Sequence, residues 1–264
     1  MRVCLCIFSR ALWIVAACAS LATPPAGAAE SDWSWSAKLG YDRNDGKYGT
    51  PLSSHDTSTT LTLGLDSDKY GFDLVLPYVA QTGPGRRIAL AGRRLVVIVE
   101  PGRTAMGMGD VTVGATRYLL TEEAYGFDLD VGGTLKVGTA SASKGLGTGK
   151  NDYALQASLG KSLGPVAFST TLGYTFVGKE ADQGYKNSAF ATFDSYWKWN
   201  NTFGVGATYS YGGPSSEGSA SSRDVTYYAS YRLTKTHKIE VAFTEGHSVQ
   251  SPDRGLSATF SCNF

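Results

Sequence analysis

Residues 255–264 alternate without a break. Leu256, Ala258, Phe260, Cys262 and Phe264 take turns with Ser257, Thr259, Ser261 and Asn263. Successive side chains of a strand point to opposite faces, so this is a strand with one apolar and one polar face. The pattern recurs over about 33–42, 58–67, 69–79, 108–119, 125–138, 152–162, 165–177, 189–199, 202–211, 223–234 and 237–246. Twelve half-apolar strands leave few folds open. They stack as a soluble sandwich with the apolar faces together, or they close into a barrel with those faces turned out to lipid.

The connectors favour the barrel. Short ones fall near 66–69, 120–124, 162–165, 199–202 and 234–237. Long ones rich in Gly and Ser fall near 43–57, 80–106, 139–151, 178–188, 212–222 and 247–254. Short turns at one end and long loops at the other mark a bacterial transmembrane barrel, and an even strand count puts both termini on the short-turn, periplasmic side. Residues 1–29 read as a secretory signal peptide. Arg2 and Arg10 precede a short apolar run over 11–22, then small residues up to Ala28 and Ala29. The expected mature domain is 30–264. After the leader no window of 18 apolar residues occurs, so no transmembrane helix is expected. Mean hydropathy is −0.14, as expected when each strand gives half its residues to a lumen. A chain ending on an alternating strand with an aromatic last resembles the terminal signal of outer-membrane β-barrels.

The polar face supplies the candidate pore wall. Lys38, Asp73, Asp128, Asp130, Lys136, Asp152, Gln156, Asp194, Lys198, Arg232, Lys238 and Glu240 fall on it. Both charge signs are present, so no strong ion selectivity is expected from the wall. Inward Gly64, Gly114, Gly132, Gly173, Gly204 and Gly206 leave space or relieve strain at bends. The 80–106 segment holds Arg86, Arg87, Arg93, Arg94 and Arg103 around two apolar runs. It reads as a constriction folded into the pore, as a basic rim for lipopolysaccharide phosphates, or as a solvated hairpin extending two strands. Arg117 falls on the outward face, near the short-turn end, where it can snorkel to headgroups. Tyr70-Gly71-Phe72-Asp73-Leu74 and Tyr125-Gly126-Phe127-Asp128-Leu129 are the same five residues, each expected to open a strand with aromatics at the headgroup boundary.

Catalysis finds little support. The histidines are His55, His237 and His247. Only His55, between Ser54 and Asp56, suggests a nucleophile and base, and adjacency in sequence does not converge three groups. Gly145 to Lys150 lacks the spacing and helix of a phosphate loop. Past the leader Cys262 is the one cysteine, so neither a disulfide nor a sulfur-based metal cluster is expected, and it reads as a small lipid-facing residue. Net charge is +1, giving no bulk case for nucleic acid.

Three segments carry a family resemblance. They are Gly107-Met108-Gly109-Asp110-Val111-Thr112-Val113-Gly114-Ala115, the run from Leu135 through Lys144-Gly145-Leu146-Gly147-Thr148-Gly149 to Tyr153, and Leu172-Gly173-Tyr174-Thr175-Phe176-Val177-Gly178. Together they resemble the outer-membrane transporters named after the meta-pathway of phenol degradation, over roughly residues 107–264. Gly138 stands where that pattern commonly has Pro. The resemblance implies uptake of aromatic compounds. The reading is therefore all-β: one closed antiparallel transmembrane barrel of about twelve strands in the bacterial outer membrane, passing small solutes by diffusion. The alternatives are a non-conducting structural or adhesive barrel and an outer-membrane hydrolase. No enzyme activity, cofactor or metal is expected. The expected partners are outer-membrane lipid and lipopolysaccharide, the barrel-assembly machinery and a small-molecule solute.

Overall fold

The computed structural model describes residues 33–48, 52–91, 94–178, 184–216 and 218–264, with 84–91 and 94–103 described for backbone alone. The expected signal peptide and Arg93 lie outside the described residues. The strands are β1 (Ser34–Gly46), β2 (Ser54–Asp66), β3 (Tyr70–Ala91), β4 (Arg94–Met108), β5 (Val111–Leu120), β6 (Asp128–Val137), β7 (Asp152–Leu163), β8 (Val166–Phe176), β9 (Ser188–Lys198), β10 (Phe203–Gly212), β11 (Ser222–Arg232), β12 (His237–Gly246) and β13 (Arg254–Asn263). Each pairs antiparallel with its neighbours, β1 pairs with β13 and β2 with β3, so the sheet closes into a barrel, from which only the outer parts of β3 and β4 extend as a hairpin paired to itself. Closure lets the strands satisfy one another's backbone groups, as lipid demands. Strands β4 and β5 both pair with β3 and act as one bent stave, so the barrel has twelve.

Register sets the two faces. Leu63 pairs with Leu74, Leu74 with Val113, Val113 with Leu135 and Leu135 with Tyr153, a continuous outward row. On this face Leu155, Leu172 and Leu256 are 62%, 60% and 61% exposed. Among described residues the buried apolar side chains are only Ala140, Leu146 and Cys262. The apolar surface is therefore outside, the reverse of a soluble sandwich. No helix of the described residues is long and apolar enough to cross a membrane.

The start of β1 and the C-terminal Phe264 share one end of the barrel with the short turns, since Ser36 pairs with Asn263 and the Phe264 N–H donates to the Trp35 carbonyl at 2.8 Å. Aromatic pairs ring this end, Trp33 with Phe72 at 6.0 Å and Trp197 with Trp199 at 4.8 Å.

Three local expectations change. The loop expected over 43–57 is mostly ladder, because β1 and β2 stay paired to Gly46 and Ser54. Strand pairing needs only backbone groups, so it continues where the apolar alternation stops. The second copy of the five-residue repeat does not open a strand at Tyr125. Glu122–Tyr125 forms a single helical turn, α1, and Gly126 ends it at φ 80°. The Asp128 carboxylate accepts the Glu122 N–H at 2.7 Å, one of the donors a helix start leaves orphaned. The inward glycines leave no empty space. Phe190 covers Gly173, Tyr196 covers Gly204 and Tyr228 covers Gly206.

A candidate pore and its inward loop

The bend between β4 and β5 organises the inner wall. Residues 76–77 of β3 face residues 109–111, so one extra residue bulges there. Pro77 has no N–H, but its carbonyl accepts the Gly109 N–H at 2.8 Å. A Cβ on Gly109 would lie 3.0 Å from the Pro77 ring, so the approach favours glycine. The bulge takes the Val111 N–H out of the ladder. The Thr139 hydroxyl accepts it at 2.9 Å and donates to the Gly109 carbonyl at 3.2 Å.

The bulge turns Asp110 inward. Its Oδ1 accepts the Ala140 N–H at 2.8 Å, and its Oδ2 lies 3.3 Å from Lys136 Nζ. Lys136 Nζ also meets Asp152 Oδ2 at 2.5 Å, and Asp152 Oδ1 accepts the Gly178 N–H at 2.9 Å. Lys136 and Asp152 share the inward row of Thr112. One carboxylate–ammonium–carboxylate network thus ties the bulge to the segments that follow β6 and β8. Charge-assisted bonds of this kind are the stronger class.

The loop of residues 138–151 folds onto this network. Ala142–Lys144 form a short 3-10 turn, and Gly145 ends it at φ 75°. Leu146 is buried, and a Cβ on Gly107 would touch its side chain at 3.0 Å. A Cβ on Gly147 would lie 2.9 Å from the Asp110 carboxylate. Gly107 and Asp110 face the lumen, so this loop lies against the inner wall. The two glycine-rich signatures of the sequence are in contact, each leaving room for the other.

The remaining inner-wall residues are spread along the barrel. Lys38 shares a row with Thr62 and Ser261, and Asp73 lies over Gly114. Asp130 pairs with Tyr118 and Ser158, and Gln156 with Gly132 and Gly173. Asp128 sits at the short-turn end. Lys198, next to Gly204, and Arg232, opposite Lys238, occupy the same end. Glu240 accepts from Lys238 at 3.1 Å. Asp194 accepts from Thr208 at 2.5 Å and from Tyr228 at 3.1 and 3.0 Å. Arg86, Arg87, Arg94 and Arg103 lie on a two-stranded hairpin formed by the outer parts of β3 and β4.

Several inner-wall groups were not anticipated. Asp42, Asp56, Asp66, Asp110 and Asp224 share this face, so its carboxylates outnumber its cations on the described strands. At the loop end burial, then the charges of Asp56, Asp253, Asp224 and Asp45, push the Tyr48 hydroxyl up to about 12. Inward aromatics were missed as well. Tyr196 and Tyr228 stack at 6.1 Å with planes 5° apart, and Tyr196 shares a hydrogen bond with Ser230 at 3.0 Å. The available signal was parity: Tyr227 and Tyr228 are adjacent, so one of them must face the lumen.

His55 contacts the Asp45 carboxylate across the β1–β2 ladder, while Ser54 and Asp56 point to the opposite face. The three do not converge. Cys262 shares the outward face but is 2% exposed, 3.4 Å from His237 Nε2, so it is covered rather than lipid-facing. Among the described residues no group of three or more His, Cys, Asp or Glu could hold a metal ion.

Comparison with known proteins agrees with this architecture. Residues 47–264 match the family described as "Putative MetA-pathway of phenol degradation". The COG4313 outer membrane channel from Pseudomonas putida F1 is similar in structure, with a TM-score of 0.67 at 14% identity, covering 92% of this chain and 99% of that one. The KdgM porin follows with a TM-score of 0.55 at 11% identity, covering 87% and 99%. At these identities the likeness speaks to the fold, that of an outer-membrane β-barrel. Among curated proteins none matches in sequence.

Proposed function

Because the chain belongs to the family described as "Putative MetA-pathway of phenol degradation", we propose that it is an outer-membrane channel for passive diffusion of small solutes, aromatic and other hydrophobic compounds foremost. The observation that carries this reading is the closed barrel with apolar residues outside and a polar, charged row structure within. A twelve-stranded barrel falls between the filled eight-stranded kind and the open porins, so side chains and inserted loops decide what passes. Lys38, Asp73, Asp128, Asp130, Lys136, Asp152, Gln156, Asp194, Lys198, Arg232 and Glu240 are assigned to the hydrated wall. The 138–151 loop is assigned to the constriction. Arg86, Arg87, Arg93, Arg94 and Arg103 are assigned to a basic rim facing lipopolysaccharide phosphates. In this reading residues 1–29 are removed on export, both termini face the periplasm, and the barrel-assembly machinery inserts the terminal strand. Passage involves no bond-making step.

Uptake into proteoliposomes tests the reading. Phenol and toluidine should enter protein-containing vesicles several-fold faster than protein-free ones, with a neutral trisaccharide excluded. Equal rates with and without protein would contradict it.

A further inference from the structure

Two hollows on the described outer wall differ in charge. One of about 820 Å³ over β8–β13 is lined by apolar and small polar residues and holds no cation. The other, of about 930 Å³, crosses β3 and β5–β8 and includes Arg117. Its middle is recessed because Gly133 and Ala157 are small, while Leu155 and Leu172 rise on either side at 62% and 60% exposure.

Arg117 pairs in register with Tyr70 and Val131, so it faces outward. Its guanidinium lies 4.4 Å over the Tyr70 ring. That contact orients the cation and leaves its charge without a counter-anion, and no carboxylate pairs with it among the described residues. Tyr70 opens β3 directly after the 67–69 turn, so Arg117 lies at the headgroup boundary of the end that bears the C-terminus. A guanidinium there selects a planar or tetrahedral oxyanion, and its fork suits two phosphate oxygens at once.

We propose that this hollow binds one anionic phospholipid, with the phosphate on Arg117 and an acyl chain along the trough over Gly133 and Ala157. The site is independent of whether the lumen conducts. The hollow without a cation serves as its internal contrast: it holds acyl chains with no headgroup preference.

Native mass spectrometry of the purified full barrel tests this, with phosphatidylglycerol, phosphatidylethanolamine and hexa-acyl lipid A titrated separately. The expected result is one retained phosphatidylglycerol, retained about tenfold more weakly by Arg117→Gln and to an intermediate degree by Arg117→Lys. Gly133→Leu should weaken retention with Arg117 intact, since it fills the trough. Heat-modifiable gel mobility confirms that each variant is folded. Equal retention by Arg117→Gln and the unsubstituted protein would overturn the proposal. So would equal retention of phosphatidylethanolamine, or selective retention of lipid A.

Discussion

Asp110→Ala should raise the single-channel conductance several-fold and add flickering between levels. Asp110 is the anchor common to the bulge, Lys136 and the Ala140 N–H. Its side chain is only 10% exposed. Removing it leaves the Ala140 N–H without its acceptor and Lys136 with Asp152 alone. Losing a charged hydrogen bond of this sort costs about 1.5–3 kcal/mol. Each 1.4 kcal/mol is about a tenfold change in an equilibrium, so the population with the 138–151 loop displaced should rise by roughly ten- to a hundredfold. Asp110→Asn keeps an acceptor for Ala140 but drops the charge, and should give an intermediate conductance. Asp128→Ala, at the opposite end of the barrel, should leave the flicker unchanged. Planar-bilayer traces of the three variants decide the matter. Unchanged conductance in Asp110→Ala would show that this loop does not limit passage.

Leu172→Arg and Thr171→Arg should separate completely, although the residues are neighbours. Leu172 lies near the middle of β8, faces outward and is 60% exposed. Arginine on the lipid face near the bilayer midplane costs about 2–4 kcal/mol. Thr171 faces inward, where its hydroxyl is 2.9 Å from that of Ser158. Arginine there meets water and should cost under about 1 kcal/mol, since surface-type substitutions fall within that range. Urea titration of the barrels folded into vesicles should therefore show a large loss for Leu172→Arg and a small one for Thr171→Arg. Conductance should fall only for Thr171→Arg, which narrows the lumen. The reverse pattern would invert the assignment of the two faces.

Much of this architecture was legible in the sequence because a barrel strand writes itself in parity. Leu61, Leu63 and Leu65 alternate with Thr and Gly, and the ladder carries them outward as that pattern implies. The short connectors at 66–69 and 162–165 marked the end of the barrel that holds the C-terminus. What parity could not reveal is contact between the wall and a loop folded onto it, and the pairing of the chain beyond the apolar alternation. Asp110 looked like a residue at the start of a strand. Its role comes from one extra residue opposite Pro77, which only pairing exposes. The glycine-rich signatures at 107–109 and 145–149 were visible as motifs, but the reason for their glycines is mutual close approach of Gly107 to Leu146 and of Gly147 to Asp110, segments far apart in the chain. Likewise Gly204 and Gly206 read as vacancies, because the side chains that cover them, Tyr196 and Tyr228, belong to the flanking strands.

The account rests on a sealed wall around a wet passage. Single-channel recording of the unsubstituted protein in planar bilayers tests it most directly. It should insert as discrete steps of small, ohmic conductance with a modest preference for cations over anions, set by the excess of inward carboxylates. Stable insertion with no conductance above the bare bilayer, in a protein that runs as a heat-modifiable folded barrel, would contradict a channel.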